Sequence, residues 1–369
     1  MRIRFRVSAG IVTAGAVAIA LAATLAGQQS ASKPTPAAGA AVAAAPAPTA
    51  RTSTAKPWTT KTPDGQIDLQ GFWTNSTYTP LERDPKITSE YYTPEEFEER
   101  VKRQATADLE QTEPGTNADV HYDFAQFGLR RSLSAYSKNL RTSLIVDPPD
   151  GRMPPRVGAA GAAGAGGRGA RGARGAAAAG GAGRGGGRAG QYDRVQNLPN
   201  GTRCITSGGA GPPMMDAGYN ANYQIVQGPG NVLILTEMIH DVRIIPLDNR
   251  PAPPAGYRGW MGYSRGRWEG NTLVVETTNY NGRLPFRGSS ADLKVTERFR
   301  RDSEEQITYR FTVEDPSVWT RPWTAESYLE KTNGPIFEHA CHEGNYGVAN
   351  TLAGARLAET EAAATPGTK

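Results

Sequence analysis

From residue 223 onward, apolar and polar positions alternate with a period of two, as they do in strands with one buried face. The runs 223–226, 232–238, 242–247, 263–268, 272–278, 293–299, 307–313, 323–329 and 336–341 are rich in β-branched and aromatic residues, and each predicts a strand. Gly228-Pro229-Gly230-Asn231, Glu269-Gly270-Asn271, Asp302-Ser303-Glu304-Glu305 and Thr332-Asn333-Gly334-Pro335 are short connections suited to hairpins. No helical pattern lies between these runs, so parallel crossovers have no room and an antiparallel meander of about eight to ten strands is expected. One open twisted sheet does not hold that many comfortably. The fold expected is therefore mainly β, with the sheet curled into a barrel and two packed sheets as the alternative.

Upstream, run 67–73 predicts a short strand or extended lead-in, and run 141–146 a strand stopped by Asp147-Pro148-Pro149-Asp150-Gly151. Thr93 as a cap, Pro94 at the first helical position and Glu95 and Glu96 in the first turn predict one N-terminal helix, running to about Ala107.

Against this alternation, charged residues on apolar faces stand out. Glu297 shares a face with Leu293, Val295 and Phe299, Glu237 with Leu233 and Leu235, and Glu276 with Val274. His240, Asp241 and Arg243 follow Glu237 closely, and Arg243 and Arg287 are available partners for the carboxylates. An unpaired carboxylate inside a barrel costs several kcal/mol. One reading places Glu237, His240, Arg243, Glu276 and Glu297 around a cavity, with Glu297, His240 and Glu237 as acid/base candidates and Arg243, Glu276 and Arg287 as ligand contacts. The other is a salt-bridge network at a barrel end, or a register that turns some of them outward.

Trp319-Thr320-Arg321-Pro322-Trp323 offers rings and a guanidinium that could stack on a sugar or flat ring at a barrel mouth, or simply pack the core. Glu338-His339-Ala340-Cys341-His342-Glu343 holds two of the four histidines. In a strand His339 and His342 would face opposite sides, so a local metal site is not expected and His339 is taken as a ligand contact. There is no Walker A loop, no dinucleotide fingerprint and no nucleophile-elbow motif, and no cofactor is expected.

Composition adds the compartment. Arg2, Arg4 and Arg6 precede an apolar stretch with Ala20 and Ala22 in an A-x-A arrangement, the layout of a cleavable signal peptide over residues 1–27. The apolar run approaches the roughly 20 residues that span a bilayer, so an anchor is the alternative. Residues 28–56 read as an Ala/Pro linker, 157–190 as a Gly/Ala/Arg insert without apolar residues to order it, and 350–369 as a disordered tail. Residues 57–156 and 191–349 remain as the N-terminal part and the barrel of one domain. The formal charge is +5, but the signal carries three arginines and the insert five (Arg168, Arg171, Arg174, Arg184 and Arg188), which leaves about −3 for the rest. No nucleic-acid partner is expected for the folded body. Cys204 and Cys341, the only two cysteines, are expected to pair in an oxidising compartment, against two buried free thiols as the alternative.

The stretches Asp68-Leu69-Gln70-Gly71-Phe72-Trp73, 265–278 from Arg265-Gly266-Arg267-Trp268-Glu269-Gly270 onward, Phe286-Arg287-Gly288-Ser289-Ser290 and Ala340-Cys341-His342-Glu343-Gly344-Asn345 resemble a family of uncharacterised exported bacterial proteins. The resemblance implies export and supplies no activity. The strand layout also resembles a lipocalin, in architecture only. Three functions fit: a periplasmic or secreted barrel holding a small organic molecule such as a carbohydrate or an aromatic compound, a secreted lyase, isomerase or hydrolase using a Glu/His pair, and a structural or interaction module.

Overall fold

Most of the runs rich in β-branched and aromatic residues form strands. The computed structural model describes residues 58–107, 136–158, 192, 194–248, 250–251 and 253–364, all within one unit, Thr54–Lys369. The signal and linker runs and nearly all of the insert lie outside the described residues. The strands are β1 (Gly71–Thr74), β2 (Ile145–Asp147), β3 (Asn222–Gly228), β4 (Asn231–Thr236) and β5 (Val242–Pro246). They continue as β6 (Tyr263–Glu269), β7 (Thr272–Thr278), β8 (Lys294–Arg301), β9 (Gln306–Glu314) and β10 (Trp323–Lys331).

Every ladder is antiparallel, and nine strands run in the order β5-β4-β3-β1-β10-β9-β8-β7-β6, with β2 added against β10. The result is a nearly closed barrel made of two meanders, β3–β5 and β6–β10. Strand β1 joins them: its Trp73 lies opposite Tyr223 of β3 on one side and Lys331 of β10 on the other. The seam lies between β5 and β6, where side chains take over from a ladder. A Cβ at Gly266 of β6 would come within 2.7 Å of Leu247 and 2.8 Å of Ile245, so only glycine lets the two edges approach this closely.

The interior is filled. Trp73, Tyr223, Phe299, Tyr309, Phe311 and Trp323 are fully buried and are among its largest side chains. On β8, Val295, Glu297, Phe299 and Arg301 point in, and Lys294, Thr296, Arg298 and Arg300 alternate outward. Arg301 closes its end of the barrel with its guanidinium carbon 4.0 Å from the ring centre of Trp58 and 4.9 Å from that of Trp73.

Helix α1 (Pro94–Ala107) starts where its cap signals it. The Thr93 hydroxyl accepts from the Glu96 amide (3.2 Å) and the Glu96 carboxylate accepts from the Thr93 amide (2.8 Å), a reciprocal capping box. Two expectations are corrected. Of the stretch read as a disordered tail from residue 350, residues 350–364 are helical, within α2 (Gly347–Ala364), because their Ala, Leu, Glu and Arg residues are strong helix formers, and the rest lies outside the described residues. Run 336–341 is not a strand: it leaves the barrel after Pro335, its Phe337 is 73% exposed, and it is held by contacts other than a ladder.

Candidate functional site

The inward positions of β5 to β9 bring a polar cluster into this apolar interior. Arg243 on β5 reaches past β6 and β7 to Glu297 on β8, donating from Nη1 to Oε1 (3.1 Å) and from Nη2 to Oε2 (2.5 Å). Their side chains are 4% and 0% exposed. The Tyr309 hydroxyl donates to Oε1 (2.8 Å), Arg243 Nη2 also donates to Ser264 Oγ (3.4 Å), and the Ser264 and Thr277 hydroxyls lie 2.8 Å apart. Burial pulls the Arg243 pKa down, but the Glu297 charge and hydrogen bonds outweigh it and leave the group above its ordinary value. Burial, with the nearby Glu297 charge, also raises the Tyr309 and Tyr280 phenols well above their ordinary range, and burial followed by Asp216 raises Tyr223.

Three tyrosine hydroxyls of this end hold the backbone of one loop. Tyr223 donates to the Gly209 carbonyl (3.2 Å), Tyr280 donates to the Pro212 carbonyl (3.3 Å), and Tyr309 accepts from the Met214 amide (2.9 Å). Residues 210–214 are all buried, with Ala210 0% and Met214 2% exposed. The Asp216 carboxylate fixes the far side of the loop by accepting from the Thr77 amide (3.1 Å), and Asn75 donates to the Tyr223 hydroxyl (3.0 Å).

The residues expected around a cavity are distributed otherwise. Arg243 and Glu297 meet inside. Glu237 is buried at the end of β4, where its carboxylate accepts from Asn222 (2.7 Å) and from the Phe337 amide (3.3 Å). His240 is exposed, with Nδ1 3.1 Å from the His339 carbonyl. Among the described residues, no hydrogen bond or ion pair joins Glu237 or His240 to Glu297. Cys204 and Cys341 are disulfide-bonded, with Cα atoms 5.7 Å apart, and so fasten the same corner. His339 belongs to this corner too.

Glu276 faces outward and pairs with Arg267 (2.6 Å). Leu273, Val275 and Thr277 of β7 point into the barrel, so the opposite face, although it carries the buried Val274, is the outer one. Arg287 is exposed, and its carbonyl accepts from Arg156. Trp319 and Trp323 are core residues, 2% and 0% exposed, stacked edge to face 5.9 Å apart, and so present no ring to a mouth. Arg321 is on the surface, paired with Asp147 (2.5 Å).

Sequence reasoning missed Tyr223, Tyr280, Tyr309, Ser264, Thr277 and the loop. A signal for one of them existed: Glu297 lies opposite Phe311, which puts Tyr309 diagonally across the ladder on the same face. Chemically, both Glu297 oxygens are engaged and the pair carries no net charge. The cluster offers hydrogen bonds from hydroxyls, not a free base. Among the described residues no group of three or more His, Cys, Asp or Glu side chains is arranged to hold a metal ion, and no helix is long and apolar enough to cross a membrane.

A scan against protein-family models finds no match to this chain, and a search of curated proteins finds none either.

Proposed function

We propose that this is an exported barrel protein that binds one small neutral organic molecule, a carbohydrate or an aromatic compound, at the polar end of its interior around Arg243 and Glu297. The observation that carries this reading is the desolvated Arg243–Glu297 pair, ringed by hydroxyls inside a barrel otherwise filled by apolar side chains. A well-packed apolar substitute would be as stable or more stable, so stability alone does not account for the pair. Because the two charges cancel, a charged ligand would find no uncompensated partner, whereas a neutral one finds polarised donors and acceptors beside aromatic walls. Export is supported by the signal-like start of the sequence and by the disulfide, which persists in oxidising compartments. Acid/base chemistry between Glu297 and His240 is less well supported, since one is enclosed with both oxygens taken and the other is exposed.

Thermal-shift screening against neutral sugars and aromatic alcohols, with their charged analogues beside them, tests the reading. A neutral ligand at 100 times its Kd should stabilise the wild type by about 2.7 kcal/mol. The double variant Arg243→Met/Glu297→Leu should fold and show no shift. Equal shifts in the variant, or a preference for the charged analogues, would overturn the proposal.

A further inference from the structure

The loop of residues 208–215 makes contacts that a ligand of this site would make. We infer that residues 209–214 are a built-in occupant of the binding site, displaced when the ligand enters, and that the ligand is a compact neutral amide with an apolar body. This rests on the proposed binding of a small neutral molecule at this site; it puts an amide in place of the carbohydrate or aromatic compound and adds the way the site is kept closed.

Two barrel hydroxyls, from Tyr223 and Tyr280, donate to carbonyls of the loop, and a third, from Tyr309, accepts an amide N–H while donating to Glu297. The polar core therefore presents two donors and one acceptor to whatever fills this end of the barrel. A molecule replacing the loop must bring two carbonyl oxygens and one N–H, or leave buried hydroxyls unpaired. Between these groups the loop offers only Ala210, Gly211, Pro212 and Pro213 and the Met214 side chain, which packs into the main apolar core. The rest of the ligand must therefore be apolar and uncharged.

The loop is built to be removable. Within residues 208–215 no stretch joins a strand ladder. Its internal backbone bonds are few and include a long one from the Met215 amide to the Gly209 carbonyl (3.3 Å). Gly211 has a φ of +91° and lies so close to Met214 that a Cβ there would sit 2.9 Å from Met214 Cγ. Opening the loop therefore breaks three tyrosine hydrogen bonds and the Met214 packing, but no strand ladder. The hinge on the N-terminal side is anchored, because Cys204 is bonded to Cys341 and the Thr206 hydroxyl donates to Asp241 (2.8 Å).

The test uses variants of the loop, not of the barrel hydroxyls that the ligand needs. Met214→Ala removes the side chain that seats the loop, and Gly211→Ala opposes its backbone conformation by an independent route. Hydrogen exchange read by mass spectrometry should show residues 208–215 of the full chain exchanging at least roughly tenfold faster in each variant, with β8 and β9 unchanged as the check on folding. The probe is N-acetyl-prolinamide, which carries two carbonyls, an N–H donor and an apolar ring; N-acetylproline is its charged counterpart. The Kd of the amide should fall in each variant by about the factor gained in opening, because the closed population no longer competes. N-acetylproline should bind neither.

If the loop exchanges only with global unfolding in the wild type and both variants, the built-in occupant is refuted, even where another neutral ligand still binds through Arg243 and Glu297. If the loop opens but the amide binds none of the three proteins, or the charged analogue binds equally, the ligand class is refuted. Failure of every neutral ligand to depend on Arg243 and Glu297 would instead remove the proposed function.

Discussion

Replacing Arg243 by alanine would leave the Glu297 carboxylate enclosed with only the Tyr309 hydroxyl for a partner. The side chains are 4% and 0% exposed, so water cannot take over the lost bonds at 3.1 and 2.5 Å without opening the barrel. Breaking a buried pair on one side costs about 3–5 kcal/mol. At roughly 2–4 °C of melting temperature per kcal/mol, that is a fall of roughly 6–20 °C. Removing both charges tells a different story: Arg243→Met with Glu297→Leu should be neutral or stabilising by up to about 4 kcal/mol, because the desolvation cost disappears with the attraction. Urea unfolding of wild type, Arg243→Met, Glu297→Leu and the double, followed by tryptophan fluorescence with the disulfide intact, gives the coupling from the cycle, with Arg243→Ala measured beside them. The surface variant Glu276→Ala, which breaks a half-exposed pair with Arg267, should leave the midpoint unchanged. A cost for Arg243→Ala below about 1 kcal/mol, the range of solvent-exposed pairs, would refute the claim that this pair is desolvated.

Reduction of Cys204–Cys341, or Cys204→Ser with Cys341→Ser, should lower stability by up to about 5 kcal/mol in the chain-entropy model for a 137-residue separation; identical urea midpoints with and without reductant would show that the corner holds without its bond. Gly266→Val should cost about 1–3 kcal/mol by overpacking the seam against Ile245 and Leu247, and an unchanged melting temperature would mean that β5 and β6 separate freely. In alkali, Tyr223, Tyr280 and Tyr309 resist ionisation in the folded state because they are buried. Their contribution is complete below the unfolded tyrosine value of about 10 and is lost as pH rises above it. Equilibrium unfolding followed between pH 9 and pH 12 should show stability falling steeply above about pH 10, and a flat profile there would contradict their burial.

Much of the fold was legible in the sequence because local pattern and local structure share a period. Strands β8 and β9 follow from apolar residues at every second position, helix α1 from Thr93, Pro94 and Glu96, and the disulfide from an even cysteine count. Strand β1 was less distinct, since four residues carry little periodicity, and nothing local announces that it would sit between β3 and β10 to join two meanders.

The candidate site was legible only in part. That Glu297 faces the core follows from its own strand. That Glu276 faces out does not, because β7 is apolar on both faces and the pattern leaves its sidedness open. That Arg243 is the partner of Glu297, 54 residues away, and that the tyrosines hold the loop at Gly209, Pro212 and Met214, were decided by closure of the barrel. Alternation is set by covalent neighbours and can be read along the chain. Which charges meet is set by strand order and register, which bring together residues that no local pattern connects.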